Sequence, residues 1–369
     1  MNSNGTHRLT QRDIALRCGV SQMTVSLALR ASPKVSTTVR RQVMKAAKQL
    51  GWRPDPTLSA LVSYRHRSSE KKNFSTIAWI SSRSANQESR VKNRAYQAYF
   101  QGAAARAEVL GYKLEEFQLN QGGMTSSRLN QILYNRNILG LLLASSPDVP
   151  LNLSWDKFAA VTCGFASTHS SLHMASSHHF HSAALALRKL RDLGYRRIGV
   201  LLEQRNDANR GYGLMEGCLT EQRRYSPDQM LPVMSLPNLT TAPLRDYLAR
   251  YKPDAVLTNF TNTSECMKEL KVAVPADMGL AYLSETKLEA GLSGVNENAF
   301  VVGEVAIELV ASMIQRNEFG IPAASRCIMI DGFWVEGRTV RRVNKPVEDL
   351  VPALDSFQYW AERLSTVTP

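Results

Sequence analysis

Apolar positions recur with two different periods along the chain. After Thr10, the residues Ile14, Ala15 and Cys18 fall at helical spacing, and Asp13 at the third helical position completes a capping box with that threonine. The spacing predicts a helix over about 11–18, stopped by Gly19. Beyond the Gly19-Val20 turn, Ser21 caps a second helix with Val25, Ala28 and Leu29 as its buried stripe and Gln22, Met23, Ser26, Leu27 and Arg30 on the other face. Pro33 closes it. Ser36 caps a third helix, whose stripe of Val39, Val43, Ala46, Ala47 and Leu50 ends at Gly51 and Pro54. Three short helices with a tight turn between the first two define a helix-turn-helix module; a small helical bundle with a solvated basic face is the competing reading. Asp55 and Pro56 then open a stretch at 57–63 that suits either a short helix or a plain linker.

From Phe74 onward, short apolar runs at 76–80, 139–144, 158–163, 198–202, 255–258 and 279–283 alternate with amphipathic stretches at 96–110, 126–135, 182–193, 244–250 and 300–314. Strand-helix alternation predicts an α/β body with parallel sheets. Leu110-Gly111-Tyr112-Lys113 and Leu193-Gly194-Tyr195-Arg196 both close a helix and open a strand. Taken as equivalent points, they divide the body into two similar lobes around a cleft, with crossings expected near 164–181 and 284–294.

Charge separates the two regions. The chain of 369 residues carries a formal +13, and residues 1–72 hold 14 Lys/Arg against 3 Asp/Glu, so +11 of that excess sits in the first fifth of the chain. Such a block suits nucleic acid or an anionic membrane surface. The five cysteines are far apart and contain no C-x-x-C pair, so neither a disulfide framework nor a zinc ribbon is expected. The first thirty residues lack an apolar core followed by a cleavage site, and no run approaches a membrane span, so a cytoplasmic protein without membrane contact is expected.

Thr10 to Arg30, with Asp13-Ile14-Ala15, Gly19-Val20-Ser21 and Thr24-Val25-Ser26, closely resembles the headpiece of the lactose-repressor (LacI/GalR) family, as do Val35-Ser36 with Arg40 and Leu50-Gly51-Trp52-Arg53-Pro54. The resemblance implies a second helix in the major groove and a DNA-binding set of Thr10, Ser21, Gln22, Met23, Thr24, Ser26, Leu27, Arg30, Ser36, Arg40 and Trp52. Where the family usually places a base-reading Arg or His this chain has Leu27, and Val39 stands in place of a Thr. Leucine cannot donate to guanine but packs on a thymine methyl, so Gln22, Met23 and Leu27 form the expected specificity triplet. The family's hinge helix carries over onto 55–73, with Leu61 as the minor-groove wedge and Leu58 facing a second subunit.

The body resembles the same family's effector domain, of periplasmic-binding-protein type, at Ile138 to Leu142, Leu193 to Gly199, Val302-Gly303 and Trp334 to Thr339. Its pocket carries over poorly: Leu214 replaces the effector-binding Arg, with Arg210 the nearest substitute, and the other positions fall at Asn259, Ser284 and Glu297. Ser82, Arg83, Ser146 and Asp148 join Arg210 as cleft candidates because they sit at carboxyl ends of strands, although each also suits a solvated loop. Five of seven histidines (His169, His173, His178, His179, His181) crowd into 13 residues without a Cys or carboxylate among them. A solvated loop is expected there, with a zinc or nickel site as the competing reading.

No nucleotide-binding or hydrolase motif is present, so neither a catalytic residue nor a cofactor is expected. The expectation is a helix-turn-helix headpiece (1–54), a hinge (55–73), a two-lobed α/β effector-binding and dimerisation domain (74–345) and a helical tail (346–369). The resemblance implies a homodimeric transcriptional regulator of operator DNA, a repressor controlled by a small-molecule effector such as a sugar. A solute-binding protein of a transport system and a DNA-tethered enzyme are the alternatives.

Overall fold

The computed structural model describes residues 10–29, 35–50, 75–82, 94–119, 123–144, 151–164, 171–204, 208, 211–283 and 291–343. The headpiece forms as its pattern predicts: α1 (Gln11–Cys18), α2 (Gln22–Leu29) and α3 (Thr37–Leu50) close around Ile14, Ala15, Cys18, Val25, Ala28, Val35, Val43, Ala46 and Ala47. Gly19 takes the left-handed conformation (φ 66°) that ends α1 and turns the chain into α2, a position that disfavours any side chain. The Gln42 amide donates to the Cys18 carbonyl at 3.2 Å and ties α3 to that turn.

The body contains two six-stranded sheets. In lobe 1 the elements are β1 (Ser75–Ser82), α4 (Arg94–Val109), β2 (Tyr112–Leu119), α5 (Ser126–Asn135), β3 (Gly140–Ala144), β4 (Ala159–Cys163) and β5 (His173–Ser177). Lobe 2 follows with α6 (His179–Asp192), β6 (Ile198–Glu203), α7 (Gly213–Gln222), β7 (Val233–Leu236), α8 (Thr241–Tyr251), β8 (Ala255–Thr258), α9 (Thr263–Glu269), β9 (Gly279–Tyr282) and β10 (Gly294–Asn296). The chain then returns to lobe 1 as α10 (Ala299–Arg316) and β11 (Cys327–Ile330) and ends in lobe 2 with β12 (Phe333–Val335).

Strand order is β11-β5-β4-β3-β1-β2 in lobe 1 and β12-β10-β9-β8-β6-β7 in lobe 2. Among the described residues every pairing is parallel except β10 with β12. Helices cover both faces of each sheet, which is why β3, β4, β8 and β9 are buried throughout and read as unbroken apolar runs. The strand period of two still shows in packing: Ile77 and Trp79 face the core under α4 and α10, whereas Ala78 and Ile80 face the core under α5.

The matching strand orders correct one sequence expectation. Gly111 leads into edge strand β2, while Gly194 leads into β6, the counterpart of β1, so the two Leu-Gly-Tyr segments occupy different points of the repeat. The true echo is sterical. A Cβ at Gly102 of α4 would lie 1.9 Å from the Phe300 carbonyl oxygen of α10, and one at Gly217 of α7 would lie 2.3 Å from the Phe180 carbonyl oxygen of α6. Each lobe thus packs a glycine of the helix after its first strand against the second residue of a helix that has just crossed over.

The crossings also differ from expectation. They lie at Ser177–His179, within the first expected range, at Asn296–Ala299, just beyond the second, and at Ile330–Phe333, which no periodic pattern marks. All three leave the carboxyl end of a strand, so the carboxyl ends of both sheets face the crossing side. That geometry explains the lone antiparallel strand: β11 runs toward the crossing with its sheet and continues straight into lobe 2 as β12, against the direction of β10.

Candidate DNA-binding face and inter-lobe site

The start of α1 is set by Thr10, whose N–H and Oγ1 both donate to Asp13 Oδ2 at 2.7 Å. Ser21 starts α2 by accepting from the Thr24 N–H at 3.1 Å, and its Oγ lies 2.8 Å from Thr24 Oγ1. Ser36 accepts from the Val39 N–H at 3.4 Å and starts α3. Thr10, Ser21, Thr24 and Ser36 therefore shape the module. Gln22 and Met23 are exposed at the first turn of α2, Met23 by 74%. An exposed methionine there covers no part of the headpiece core and is presented outward with Gln22.

Leu27 departs from the outward position expected of it: it is half-buried and packs on the headpiece core, as Val39 does. An apolar side chain on so short a helix covers neighbouring apolar atoms rather than standing in water. Arg40 is half-buried, while Arg41, Lys45 and Lys48 of α3 are exposed. Ser26 lies within α2. Arg30, Trp52, Leu58, Leu61 and the tail 346–369 lie outside the described residues.

The inter-lobe candidates divide similarly. Ser82 ends β1, whereas Arg83, Ser146, Asp148, Arg210 and Ser284 lie outside the described residues. Asn259 follows β8 directly and is buried. Its Oδ1 accepts from the Glu203 N–H at 2.7 Å at the end of β6, and its Nδ2 is a buried donor with no hydrogen-bond partner among the described residues. A buried amide with one end satisfied and no partner for the other among the described residues, at the carboxyl ends of parallel strands, is a candidate group for a ligand. Glu297, on the second crossing, is buried against His179, with Oε1 2.7 Å from Nδ1.

Lobe 1 adds a network the sequence reading did not single out. Glu116 Oε1 accepts from Ser81 Oγ at 2.9 Å, Tyr96 OH at 3.1 Å and Gln118 Nε2 at 3.3 Å, and Tyr96 OH accepts from the Trp79 indole at 2.8 Å. Burial pushes the Tyr96 hydroxyl above its ordinary pKa, so it remains a neutral donor. Nothing in the sequence pattern marks Glu116, because its partners come from three separate segments.

The histidine run is not the solvated loop expected. His169 lies outside the described residues. His173 is buried in β5, its Nδ1 accepting from the Arg326 N–H at 2.9 Å, and burial lowers its pKa. His178, His179 and His181 occupy the first crossing and the first turn of α6. Asp331, 150 residues further on, joins them: its Oδ1 lies 2.8 Å from both His178 Nδ1 and His181 Nδ1. Hydrogen bonds from His181 and His178 hold the Asp331 carboxyl below the ordinary aspartate range.

One chain thus joins a helix-turn-helix module to a body of two α/β lobes with parallel sheets. Residues 10–55 match the family model "Bacterial regulatory proteins, lacI family". The structure is similar to the transcriptional regulator CelR in complex with cellobiose, at TM-score 0.56 and 18% identity over 90% of this chain and 100% of that one. It is similar also to the lac repressor dimer bound to operator and the anti-inducer ONPF, at TM-score 0.52 and 16% identity over 91% of this chain and 100% of that one. A LacI family transcriptional regulator from Enterococcus faecium with bound ribose aligns at TM-score 0.54 and 12% identity, over 73% of this chain and all of that one (100%). These likenesses show the fold. No curated protein matches the chain in sequence. No described helix is long and apolar enough to cross a membrane.

Proposed function

We propose that the chain is a cytoplasmic, homodimeric transcriptional regulator, acting as a repressor, whose affinity for operator DNA is set by a small-molecule effector bound between its lobes. The observation that carries this reading is the LacI-type headpiece at the start of a chain whose body has two lobes joined by three crossings. Gln22 and Met23 meet base edges with the outward part of Leu27, and Arg41, Lys45 and Lys48 meet phosphates. Residues 55–73 act as the hinge that pairs across the dimer, with Leu61 as the wedge. Sugar effectors in structures of the same fold, together with the vacant Asn259 amide, favour a polyhydroxylated ligand; the chain binds and carries out no reaction. Effector and operator then share a coupling free energy, each changing the other's affinity by the same factor.

The test is selection of bound sequences from random duplex DNA by the purified full chain near physiological salt. An enriched pseudo-palindrome with fixed half-site spacing is expected. Failure to enrich any sequence, both alone and with a panel of sugars, overturns the reading.

A further inference from the structure

Two of the three lobe crossings meet in a cluster the regulator reading leaves unused. His178 lies on the first crossing, His181 one turn into α6, and Asp331 on the third crossing, and their ligand atoms all lie within 4.8 Å of one another. The crossings are held together independently, by the His178 N–H donating to the Ile330 carbonyl at 2.8 Å and the Asn298 amide donating to the Asp331 carbonyl at 3.4 Å. The cluster is open to water: the side chains of His178, His181 and Asp331 are 34%, 45% and 61% exposed.

We propose that His178, His181 and Asp331 bind a divalent first-row transition metal ion of the zinc class, which clasps the first and third crossings. Two imidazoles with one carboxylate suit zinc, nickel, cobalt or iron and disfavour magnesium and calcium, which take oxygen ligands. Ligand atoms at about 2.1 Å from such an ion stand roughly 3.0 Å apart at right angles and 3.4 Å apart in a tetrahedron. Asp331 Oδ1 is 2.8 Å from each Nδ1, so partly exposed rings and a short carboxylate must open by only a few tenths of an ångström on that side. Three protein ligands leave the remaining positions to water or to an added ligand. His173 and His179 stand outside the set: both are buried, with Nδ1 held by the Arg326 N–H and by Glu297, and their ring nitrogens do not join the grouped ligand atoms.

The proposal goes beyond the regulator reading, and its test needs neither DNA nor effector. The untagged full chain, stripped with a chelator, is titrated with Co2+ and with Zn2+. One equivalent of Co2+ per chain is expected, with the visible absorption of nitrogen and oxygen ligation, displaced by Zn2+ and accompanied by a rise in Tm. Stoichiometric binding is expected to vanish in His178→Gln/His181→Gln and to weaken in Asp331→Asn. Imidazole NMR resonances of His178 and His181 in the wild-type chain shift on adding Zn2+, a readout that does not depend on the variants folding. Absence of stoichiometric binding, unchanged binding in the double variant, or a thiolate charge-transfer band assigning the ion to the exposed Cys327 overturns the proposal.

Discussion

The two lobes share one strand order, one arrangement of helices on both faces and one glycine contact to the crossing helix, yet their crossing residues are chemically unlike. Lobe 2 receives its crossing helix α6 through His178-His179-Phe180; lobe 1 receives α10 through Asn298-Ala299-Phe300. The phenylalanine recurs because its carbonyl meets a glycine in both lobes. The residues before it lie on the crossings, and there one lobe has imidazoles and the other an amide and a methyl, with His179 and Ala299 both buried. Edges differ too. Strand β2 carries Lys113, Glu115 and Glu116, which discourages pairing with a further strand, whereas β7 contains no charge.

Four tests probe this comparison. The largest effect is expected in the cores: Leu142 pairs with Trp79, and its counterpart Leu257 pairs with Val200, and all four are fully buried. Leu142→Ala and Leu257→Ala should each cost about 2–5 kcal/mol in urea unfolding. Hydrogen exchange that speeds up in both lobes for either variant would show that the lobes do not unfold separately. Next come Gly102→Ala and Gly217→Ala, each expected to cost about 3 kcal/mol because the obstructing atom is main chain. A tolerated substitution in one lobe alone would break the equivalence.

Glu297→Ala leaves the His179 ring without its buried partner, for an expected loss of about 2 kcal/mol that the conservative Glu297→Gln should partly restore. Lobe 1 has Ala299 in the matching place and offers no such sensitivity. The smallest effect belongs to the β2 edge, where Arg136 donates to Glu115 at 2.6 and 2.8 Å and those hydrogen bonds hold the carboxyl below the ordinary glutamate range. A depressed carboxyl contributes its stability above its unfolded-state pKa and loses it as pH falls through the folded-state value. Glu115→Gln should therefore cost about 0.5 kcal/mol at neutral pH, given how exposed the pair is, and nothing once pH is below both values. Unfolding curves at several pH values distinguish this from a pH-independent packing loss.

Elements with strong local signals were legible in advance. The capping box at Thr10 and Asp13, the Gly19 stop and the apolar runs of β3 and β8 needed only neighbours within a few positions. The first crossing was legible only in outline, because α6 begins at His179 rather than at Ser182, before its apolar stripe starts. The short strands β10, β11 and β12 carried no usable period; β11 is largely exposed and β12 mostly half-buried. The Leu-Gly-Tyr echo misled because a glycine stop followed by a strand is a local device that any helix-to-strand turn uses, whatever its place in the repeat.

Sequence alone determined the basic headpiece, its three helices, the alternation that makes an α/β body and the family likeness, since each rests on residues close together in the chain. Tertiary structure decided which residues share a site. Glu116 gathers Ser81, Tyr96 and Gln118, Asn259 gains one partner and keeps a vacant donor, and Asp331 meets His178 and His181 across some 150 residues. Such meetings arise because parallel strands bring their carboxyl ends to one side, where three crossings converge. A pattern with a period of two or 3.6 residues carries no information about a contact of that range.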